Sequence, residues 1–208
     1  MGEGKGRRMI KVENIKVYNI ARAVFSSRNA MNSWDKSDSD MEHDVLGEND
    51  LDLARRLYKA GPEHRKYLRQ IFVSMDITAP LYWWKEADTY KVGTTSNSCS
   101  TMHKIHDKKF EFNDFSTEHL YVESMYALSY TITILNEARE LYIESKRKED
   151  WWQMIQLLPS SYNQRRTITM SYENVVNIIN QRSGHKLDEW NIFVEELKRL
   201  PYIKEITE

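Results

Sequence analysis

The alternation of apolar and polar residues predicts strands near the start of the chain. Residues 9–18 carry β-branched side chains in partial alternation, and the Ile, Phe, Val and Thr content of residues 67–78 also favours a strand. Between them, residues 35–50 are acidic and polar and have no period, which is typical of an exposed, mobile loop. We therefore expect the strands to lie mostly in the first 80 residues.

Apolar residues at intervals of three and four predict that the rest of the chain is mainly helical. The predicted helical segments are residues 19–34, 51–61, 80–91, 114–150, 150–159, 173–184 and 187–200. Asn49 or Asp50 is expected to cap the second helix, Ser116 to cap the longest one, and Gly184 to end the sixth. The last helix carries an apolar face of Trp190, Phe193, Val194, Leu197 and Leu200.

The order of predicted strands and helices indicates an α+β fold, a helix-rich single domain over residues 9–208 preceded by a flexible leader at residues 1–8.

With 30 basic and 31 acidic residues the net charge is −1, so a nucleic-acid partner is not indicated, although a local basic patch is still possible. No apolar run approaches the roughly 18–20 residues that span a bilayer, so no membrane partner is expected. The single cysteine favours the reducing cytoplasm.

The polar run after Lys91 is the first candidate for binding chemistry. Lys91 supplies a cation, Gly93 permits close approach of a ligand, and the hydroxyls of residues 94–101 are neutral donors that phosphate or sugar binding can use. The spacing does not match a P-loop. Hydroxyl-rich segments also occur as plain solvated loops, which the residues alone favour here.

Other candidate residues are individually weak. Cys99 is either a nucleophile or a small buried apolar residue, and no base is assigned to it by spacing. His103 and His106 would share a helical face, but two histidines without a third ligand do not define a metal site, and no metal is predicted. Arg182 near a helix end is typical of a side chain that interacts with the helix dipole.

Together, these landmarks resemble the flavin-dependent thymidylate synthases. That family has a Glu-His pair, then about 25 residues later a motif of the form R-H-R-x-x-S-x-N-x-x-S-x-R, and later a helix of the form T-V-N-x-x-x-L-x-N-F-L-x-x-R. The corresponding residues here are Glu63-His64, then Thr89-Tyr90-Lys91, Thr94, Ser96, Cys99 and Thr101, and finally Leu158-Pro159, Arg165, Thr169, Ser171, Asn177 and Arg182. The resemblance covers roughly residues 50–105 and 155–190.

The resemblance implies a helix-rich α+β fold with a small, mostly antiparallel sheet. Family members methylate dUMP, with methylenetetrahydrofolate as carbon donor and FAD, reduced by NADPH, as hydride carrier, in a homotetramer. The implied cofactor-binding residues are His64, Lys91 and Asn177. The implied substrate-binding residues are Thr94, Ser96, Cys99, Arg165 and Arg182, of which Arg182 would hold the pyrimidine as the catalytic residue. A compact variant of this kind would suit a phage or prophage gene.

Several positions depart from the family motif. Thr89, Tyr90 and Thr101 replace two arginines and a histidine, and Glu86 stands where a pyrimidine-contacting Gln is expected. Permanently charged, bidentate contacts to phosphate are hard to replace, so the missing arginines argue against the standard reaction. The sequence predicts a diverged flavin enzyme that binds a pyrimidine nucleotide. The alternatives are a nucleotide- or protein-binding module without turnover and an interaction protein whose tryptophans form an oligomer interface.

Overall fold

The computed structural model describes residues 9–208, and the predicted leader at residues 1–8 lies outside the described residues. The strands are β1 (Lys11–Tyr18), β2 (Phe72–Pro80), β3 (Thr94–Ser98) and β4 (Asn163–Ser171). The helices are α1 (Ile20–Ser26), α2 (Glu48–Ala60), α3 (Leu81–Ala87), α4 (Val122–Ser145), α5 (Lys148–Leu157), α6 (Tyr172–Arg182), α7 (Asp188–Lys198) and α8 (Ile203–Thr207). Short 3₁₀ turns connect some of them.

The four strands form one antiparallel sheet in the order β1-β2-β4-β3. This confirms the predicted helix-rich α+β class with a small sheet. The expectation that strands lie mostly in the first 80 residues was wrong, because β3 and β4 come later in the chain. In β4 the buried positions are Gln164, Ile168, Met170 and Ser171, so polar residues interrupt the apolar alternation that would have signalled the strand.

Two strands continue into helices without an intervening loop. β2 ends at Pro80 and α3 begins at Leu81, while β4 ends at Ser171 and α6 begins at Tyr172. Pro80 has the extended conformation that precedes a helix, and the Ser171 hydroxyl accepts a hydrogen bond from the Asn174 amide at 3.4 Å. The direction of each helix is therefore fixed directly by the sheet.

Several helix boundaries differ from the predicted ones, and α1 ends at Ser26 rather than Trp34. α2 begins at Glu48, and its free amides at Asn49 and Asp50 donate to the Asp38 carboxylate, so neither predicted residue is the cap. α3 ends at Ala87 rather than Lys91. α4 begins at Val122, so Ser116 is not its cap.

Ser116 is instead buried, and its hydroxyl donates to the Glu118 carboxylate at 2.6 Å. Serine and aspartate often cap helices, but Ser116 binds Glu118 and Asp50 binds Arg28 instead.

The described residues fall into two compact units. The first contains residues 9–11, 77–89 and 97–166, and the second contains residues 12–76, 90–96 and 167–208. The sequence predicts a single domain over residues 9–208, and this stays a prediction.

The first unit is built around α4 and α5. α4 turns Leu128, Ile132, Leu135 and Ala138 inward, at the spacing expected for one face of a helix. These residues form an apolar core with Ile105, Phe110, Phe115 and Met154. The opposite face of α4 is exposed and carries Val122, Met125, Tyr126 and Tyr130. We call this set the α4 outer face.

The second unit contains the predicted apolar face of α7. Trp190, Phe193, Val194 and Leu197 of α7 are buried, as the sequence predicts, and so is Leu200, which follows the end of the helix. Of the predicted exposed loop at residues 35–50, residues 37–47 are irregular and contain a short bridge between Asp40 and Val45. Residues 48–50 instead begin α2, and Asp50 is buried. Within this segment the Ser37 and Ser39 hydroxyls each donate to Asp50 at 2.6 Å, and the buried Arg28 Nε donates to the same carboxylate at 2.6 Å. The mobility of the segment stays a prediction.

Within residues 9–208, no helix combines the length and the hydropathy needed to cross a membrane.

Candidate functional site

Arg182 lies at the end of α6 and is held by aromatic side chains of the second unit. Its guanidinium carbon lies 4.6 Å from the centre of the Trp190 ring and 5.5 Å from that of Tyr90. The Arg182 Nε donates to the Tyr90 hydroxyl at 2.8 Å. The Tyr90 hydroxyl donates in turn to the Gln181 side chain at 3.0 Å. Stacking on a ring and a directed hydrogen bond together fix the plane of the guanidinium.

His185 completes this arrangement, which we call the Arg182 cradle: Tyr90, Arg182, His185 and Trp190. The Arg182 Nη1 lies 3.1 Å from His185 Nε2, and the Leu187 backbone amide donates to His185 Nδ1 at 3.1 Å. Both neighbours present N–H groups to the ring. A neutral imidazole has one acceptor nitrogen, so it satisfies one of these two donors at a time.

Gly93 brings the chain before β3 close to the start of α6. Its φ of +69° lies in the left-handed region, which glycine adopts without strain. The Ser171 amide donates to the Gly93 carbonyl at 3.2 Å, and Asn174 Nδ2 donates to the Val92 carbonyl and to the Thr94 hydroxyl. The predicted binding residue Thr94 is therefore anchored to α6, half-buried, whereas Lys91 is exposed.

The predicted loop after Gly93 is a strand. Residues 94–98 form β3, at the edge of the sheet, and most of its side chains are exposed. Threonine favours strands, and an edge strand tolerates polar side chains because one side of it faces water. The loop interpretation of the hydroxyl run was therefore wrong for this part. Ser96 projects from β3 and is exposed.

His64 lines a cavity of about 360 Å³ in the second unit. The other lining residues are Ser26, Ser27, Asn29, Ala30, Leu57, Glu63, Lys66, Tyr67 and Gln70. The His64 amide donates to the Gly61 carbonyl at 3.1 Å, which holds the turn that carries the Glu63-His64 pair. The histidine side chain is exposed and so accessible to a ligand.

Asn177 lines a separate cavity of about 190 Å³, together with Pro62, Arg65, Leu68, Glu173 and Val176. The Arg65 Nε is buried and has no hydrogen-bond partner among the described residues. Its guanidinium stacks on the Tyr58 ring, with 4.6 Å between the guanidinium carbon and the ring centre. A buried N–H without an acceptor is costly, and an anion in this cavity would satisfy it.

Cys99 and Arg165 belong to the first unit and are neighbours through their backbones. The Cys99 amide donates to the Arg165 carbonyl at 2.9 Å, and the Gln164 side chain donates to the Cys99 carbonyl at 2.8 Å. Both the Cys99 thiol and the Arg165 side chain are exposed. The interpretation of Cys99 as a buried apolar residue was therefore wrong.

The two histidines considered for metal binding have different surroundings. His103 is exposed, whereas the His106 ring packs edge-on against Tyr142 with 4.9 Å between ring centres. Residues 9–208 contain no group of three or more His, Cys, Asp or Glu residues that could hold a metal ion.

Comparison with known proteins gives a match in structure. The chain matches no protein-family model and no curated sequence. It is similar to the flavin-dependent thymidylate synthase ThyX from Helicobacter pylori, solved with FAD and dUMP, at 17% sequence identity and a TM-score of 0.68. The match covers 96% of this chain and 97% of that chain. The chain has the flavin-dependent thymidylate synthase fold.

A second neighbour has the same fold and a related ligand. The UMP/dUMP methylase PolB from Streptomyces cacaoi, solved with 5-Br dUMP, has a TM-score of 0.64 and 13% identity, and the match covers 92% of this chain and 89% of that chain. The thymidylate synthase fold that the sequence motifs suggested is thus confirmed, at an identity that marks a strongly diverged version of it.

Sequence reasoning missed residues of the Arg182 cradle and of the contacts around Gly93. Trp190 was recognised only as part of an apolar face, and His185 and Asn174 were not singled out. A signal existed for His185, which lies three residues after Arg182 and directly after Gly184. Asn174 carries no such signal, because its partners Val92 and Thr94 are 82 and 80 residues away in sequence.

Proposed function

We propose that this protein is a diverged, flavin-dependent thymidylate synthase-like enzyme that binds a pyrimidine nucleotide and FAD and transfers a methyl group or a hydride to the base. The observation that carries the proposal is the Arg182 cradle. It presents a permanently charged, oriented guanidinium at the position that resembles the family's pyrimidine-holding arginine. Planar N–H donors of this kind suit the carbonyl oxygens of a pyrimidine.

The nucleotide would contact the residues around Gly93. Thr94 and Ser96 supply hydroxyl donors, and Lys91 supplies the cation for the phosphate. Cys99 and Arg165 are proposed to contribute further substrate contacts, as the resemblance implies. In this scheme Arg182 orients the base by holding its carbonyl edge and stabilises negative charge that develops there.

FAD would supply the redox chemistry, and the residues of the second unit fit such a group. The Arg65 Nε without a partner is a donor for a pyrophosphate oxygen, and Asn177 in the same cavity offers an amide. Glu173 also lines this cavity, but Arg69 lies 3.8 Å from its carboxylate and offsets part of its charge. His64, exposed in the neighbouring cavity, would contact the same cofactor. NADPH and methylenetetrahydrofolate are required only if the complete family reaction is retained.

A second candidate function follows from the missing cations of the motif. Thr89, Tyr90 and Thr101 leave Lys91 as the single cation of the motif. One lysine neutralises a phosphate dianion less well than two arginines do, which favours a nucleotide- or protein-binding module without turnover.

The two candidates are separated by titrating the purified protein with FAD and with dUMP. Calorimetry follows the nucleotide, and quenching of flavin fluorescence follows the cofactor. The enzyme hypothesis predicts binding of both, with Arg182→Gln weakening dUMP binding about tenfold or more because a charged hydrogen-bond donor is lost. The matched control is Arg56→Gln, because Arg56 is an exposed arginine paired with Asp52.

Nucleotide binding that depends on Arg182 but without FAD binding supports the module. Binding of neither ligand contradicts the enzyme and the nucleotide-binding form of the module, and equal effects of the Arg182 and Arg56 variants contradict the assigned role of Arg182.

We further propose a cytoplasmic homo-oligomer, a tetramer by resemblance. The support is the α4 outer face, where the exposed fractions of Val122, Tyr126 and Tyr130 are 61%, 73% and 70%. Large apolar and aromatic side chains clustered on one exposed helix face are typical of a protein interface.

A further inference from the structure

A cavity in the first unit is lined by cations and aromatic rings, and the proposed function does not use it. Its volume is about 260 Å³. The lining residues come from α4, α5, the turn between them and the segment that follows β3, and they are Met102, His103, Tyr142, Lys146, Lys148 and Trp151. Among residues 9–208, no acidic side chain lines it. We call it the α4–α5 cavity.

The aromatic walls of the α4–α5 cavity are held in place. The Trp151 indole N–H donates to the Met102 carbonyl at 2.9 Å, which fixes the orientation of the ring. The Tyr142 ring packs edge-on against His106. Trp152 packs edge-on against Trp151 with 4.8 Å between ring centres. A flat ligand would therefore meet preformed ring surfaces, which lowers the entropic cost of binding.

The cations of the cavity are not neutralised by neighbouring carboxylates. Within residues 9–208, neither Lys146 nor Lys148 forms an ion pair, and the Lys146 Nζ lies 5.7 Å from the centre of the Tyr142 ring. The nearest acidic residue in sequence with a buried side chain, Asp150, is already engaged. Ser145 and Arg147 both donate to it, and these hydrogen bonds, that of Ser145 foremost, hold the pKa of its carboxyl below the usual range.

The backbone of Lys146 is also unusual. Its φ of +55° places it in the left-handed region, just after the last residue of α4. This conformation costs a non-glycine residue about 1–2 kcal/mol in general. Glycine or asparagine is common in this conformation after a helix. The lysine therefore places a positive charge at this position at a cost in backbone energy.

We propose that the α4–α5 cavity binds a small aromatic phosphate monoester, with the ring between Tyr142 and Trp151 and the phosphate on Lys146, Lys148 and His103. Two lysines favour a dianion over a singly charged carboxylate. The site is independent of the Arg182 cradle, because the two share no residue, and it stands if the proposed function fails.

Calorimetric titration of the full chain tests this proposal. The probe is 1-naphthyl phosphate, and the comparison compounds are 1-naphthol and methyl phosphate, which lack the charge and the ring respectively. We expect saturable binding of 1-naphthyl phosphate that is at least tenfold tighter than that of either comparison compound. Lys146→Asn, which keeps a residue suited to positive φ, and Lys148→Gln should each weaken binding about tenfold. The matched control Lys186→Gln, an exposed lysine of the second unit, should leave it unchanged.

Three results would overturn the proposal. These are no saturable binding of 1-naphthyl phosphate, affinity unchanged in both lysine variants, and equal affinity for methyl phosphate, which would mark a simple basic surface. Both lysines are exposed, so the variants are expected to fold. Circular dichroism of each variant verifies this.

Discussion

The Tyr90 hydroxyl accepts a hydrogen bond from the Arg182 Nε at 2.8 Å, across 92 positions of sequence. It links the segment before β3 to the end of α6. Because the arginine also stacks on Trp190, the hydroxyl determines how the guanidinium is rotated about that contact. Tyr90 stands where the family motif has a histidine, so the residue that differs from the motif also orients the predicted catalytic arginine.

Tyr90→Phe removes this hydrogen bond and keeps the ring. We expect dUMP affinity to fall about fivefold, because the guanidinium is less well oriented, while the free energy of unfolding falls by about 1 kcal/mol or less. Calorimetry and urea denaturation measure the two effects. Tyr58→Phe is the control, since Tyr58 also stacks on an arginine, Arg65, outside the Arg182 cradle. Unchanged nucleotide affinity in Tyr90→Phe would remove the positioning role.

The buried Arg28–Asp50 pair should be a strong determinant of stability. Asp50→Asn leaves the buried guanidinium without its counter-charge, and we expect a loss of about 3–5 kcal/mol in the free energy of unfolding. Asp52→Asn, two positions away, breaks the exposed pair with Arg56 and should cost less than about 1 kcal/mol. Urea denaturation at neutral pH compares the two variants. Similar losses for both would contradict the importance of burial at Asp50.

Asp50 also makes the free energy of unfolding depend on pH. Burial raises the pKa of its carboxyl, but the hydrogen bonds from Ser37, Ser39 and Arg28 outweigh burial, so the pKa in the folded state lies below its ordinary value. The stabilisation is therefore complete above the unfolded-state pKa of about 4 and is lost as the pH falls through the folded-state value. Urea midpoints measured from pH 6 downward should fall less steeply in Asp50→Asn than in the wild type. Parallel curves would contradict this assignment.

Gly93 should be sensitive to substitution through its backbone rather than through crowding. An added Cβ would lie 3.5 Å from the Ser171 hydroxyl, an ordinary contact, but φ is +69°. We expect Gly93→Ala to cost about 1–2 kcal/mol of stability, and Gly93→Asn less, because asparagine adopts this conformation more readily. Gly184→Ala is the matched control, with φ +72° and open space around the Cβ. A much larger loss at Gly93 than at Gly184 would show that contact matters as well.

The α4 outer face predicts the behaviour of the protein in solution. The wild type should exceed the monomer mass in light scattering, and Tyr126→Glu with Tyr130→Glu should reduce the mass, because buried carboxylates without partners are costly. Tyr18→Glu, at an exposed tyrosine of β1, is the control and should leave the mass unchanged. A monomeric wild type would contradict the proposed oligomer.

The sequence predicted the helices better than the sheet. The face of α7 from Trp190 to Leu197 could be identified because its apolar spacing is set by the helix itself. β4 could not be identified in the same way, because its buried Gln164 accepts from Arg166 and donates to the Cys99 carbonyl, and such partners depend on the tertiary structure. β3 was missed for a related reason, since an edge strand needs few apolar side chains.

The motif positions of the candidate site could be predicted from the sequence, but the contacts between its residues could not. Register with the family motifs identified Arg182, and its aromatic partners Tyr90 and Trp190 lie 92 and 8 positions away. Caps were mispredicted where a more distant group fulfilled the role, as Asp38 does for the amides at Asn49 and Asp50. These contacts form only after folding brings distant segments together, so local sequence patterns do not predict them.

The direct passage from Ser171 to Tyr172 limits how this chain can change in length. With no loop between β4 and α6, one inserted residue would either shift the strand, which turns its side chains to the opposite face, or rotate the helix by roughly 100°. In the second case Arg182 would leave the ring of Trp190 and the hydroxyl of Tyr90. Insertions and deletions at this junction should therefore be excluded in any functional variant, whereas the irregular segment at residues 37–47 can vary in length with far less effect on Arg182.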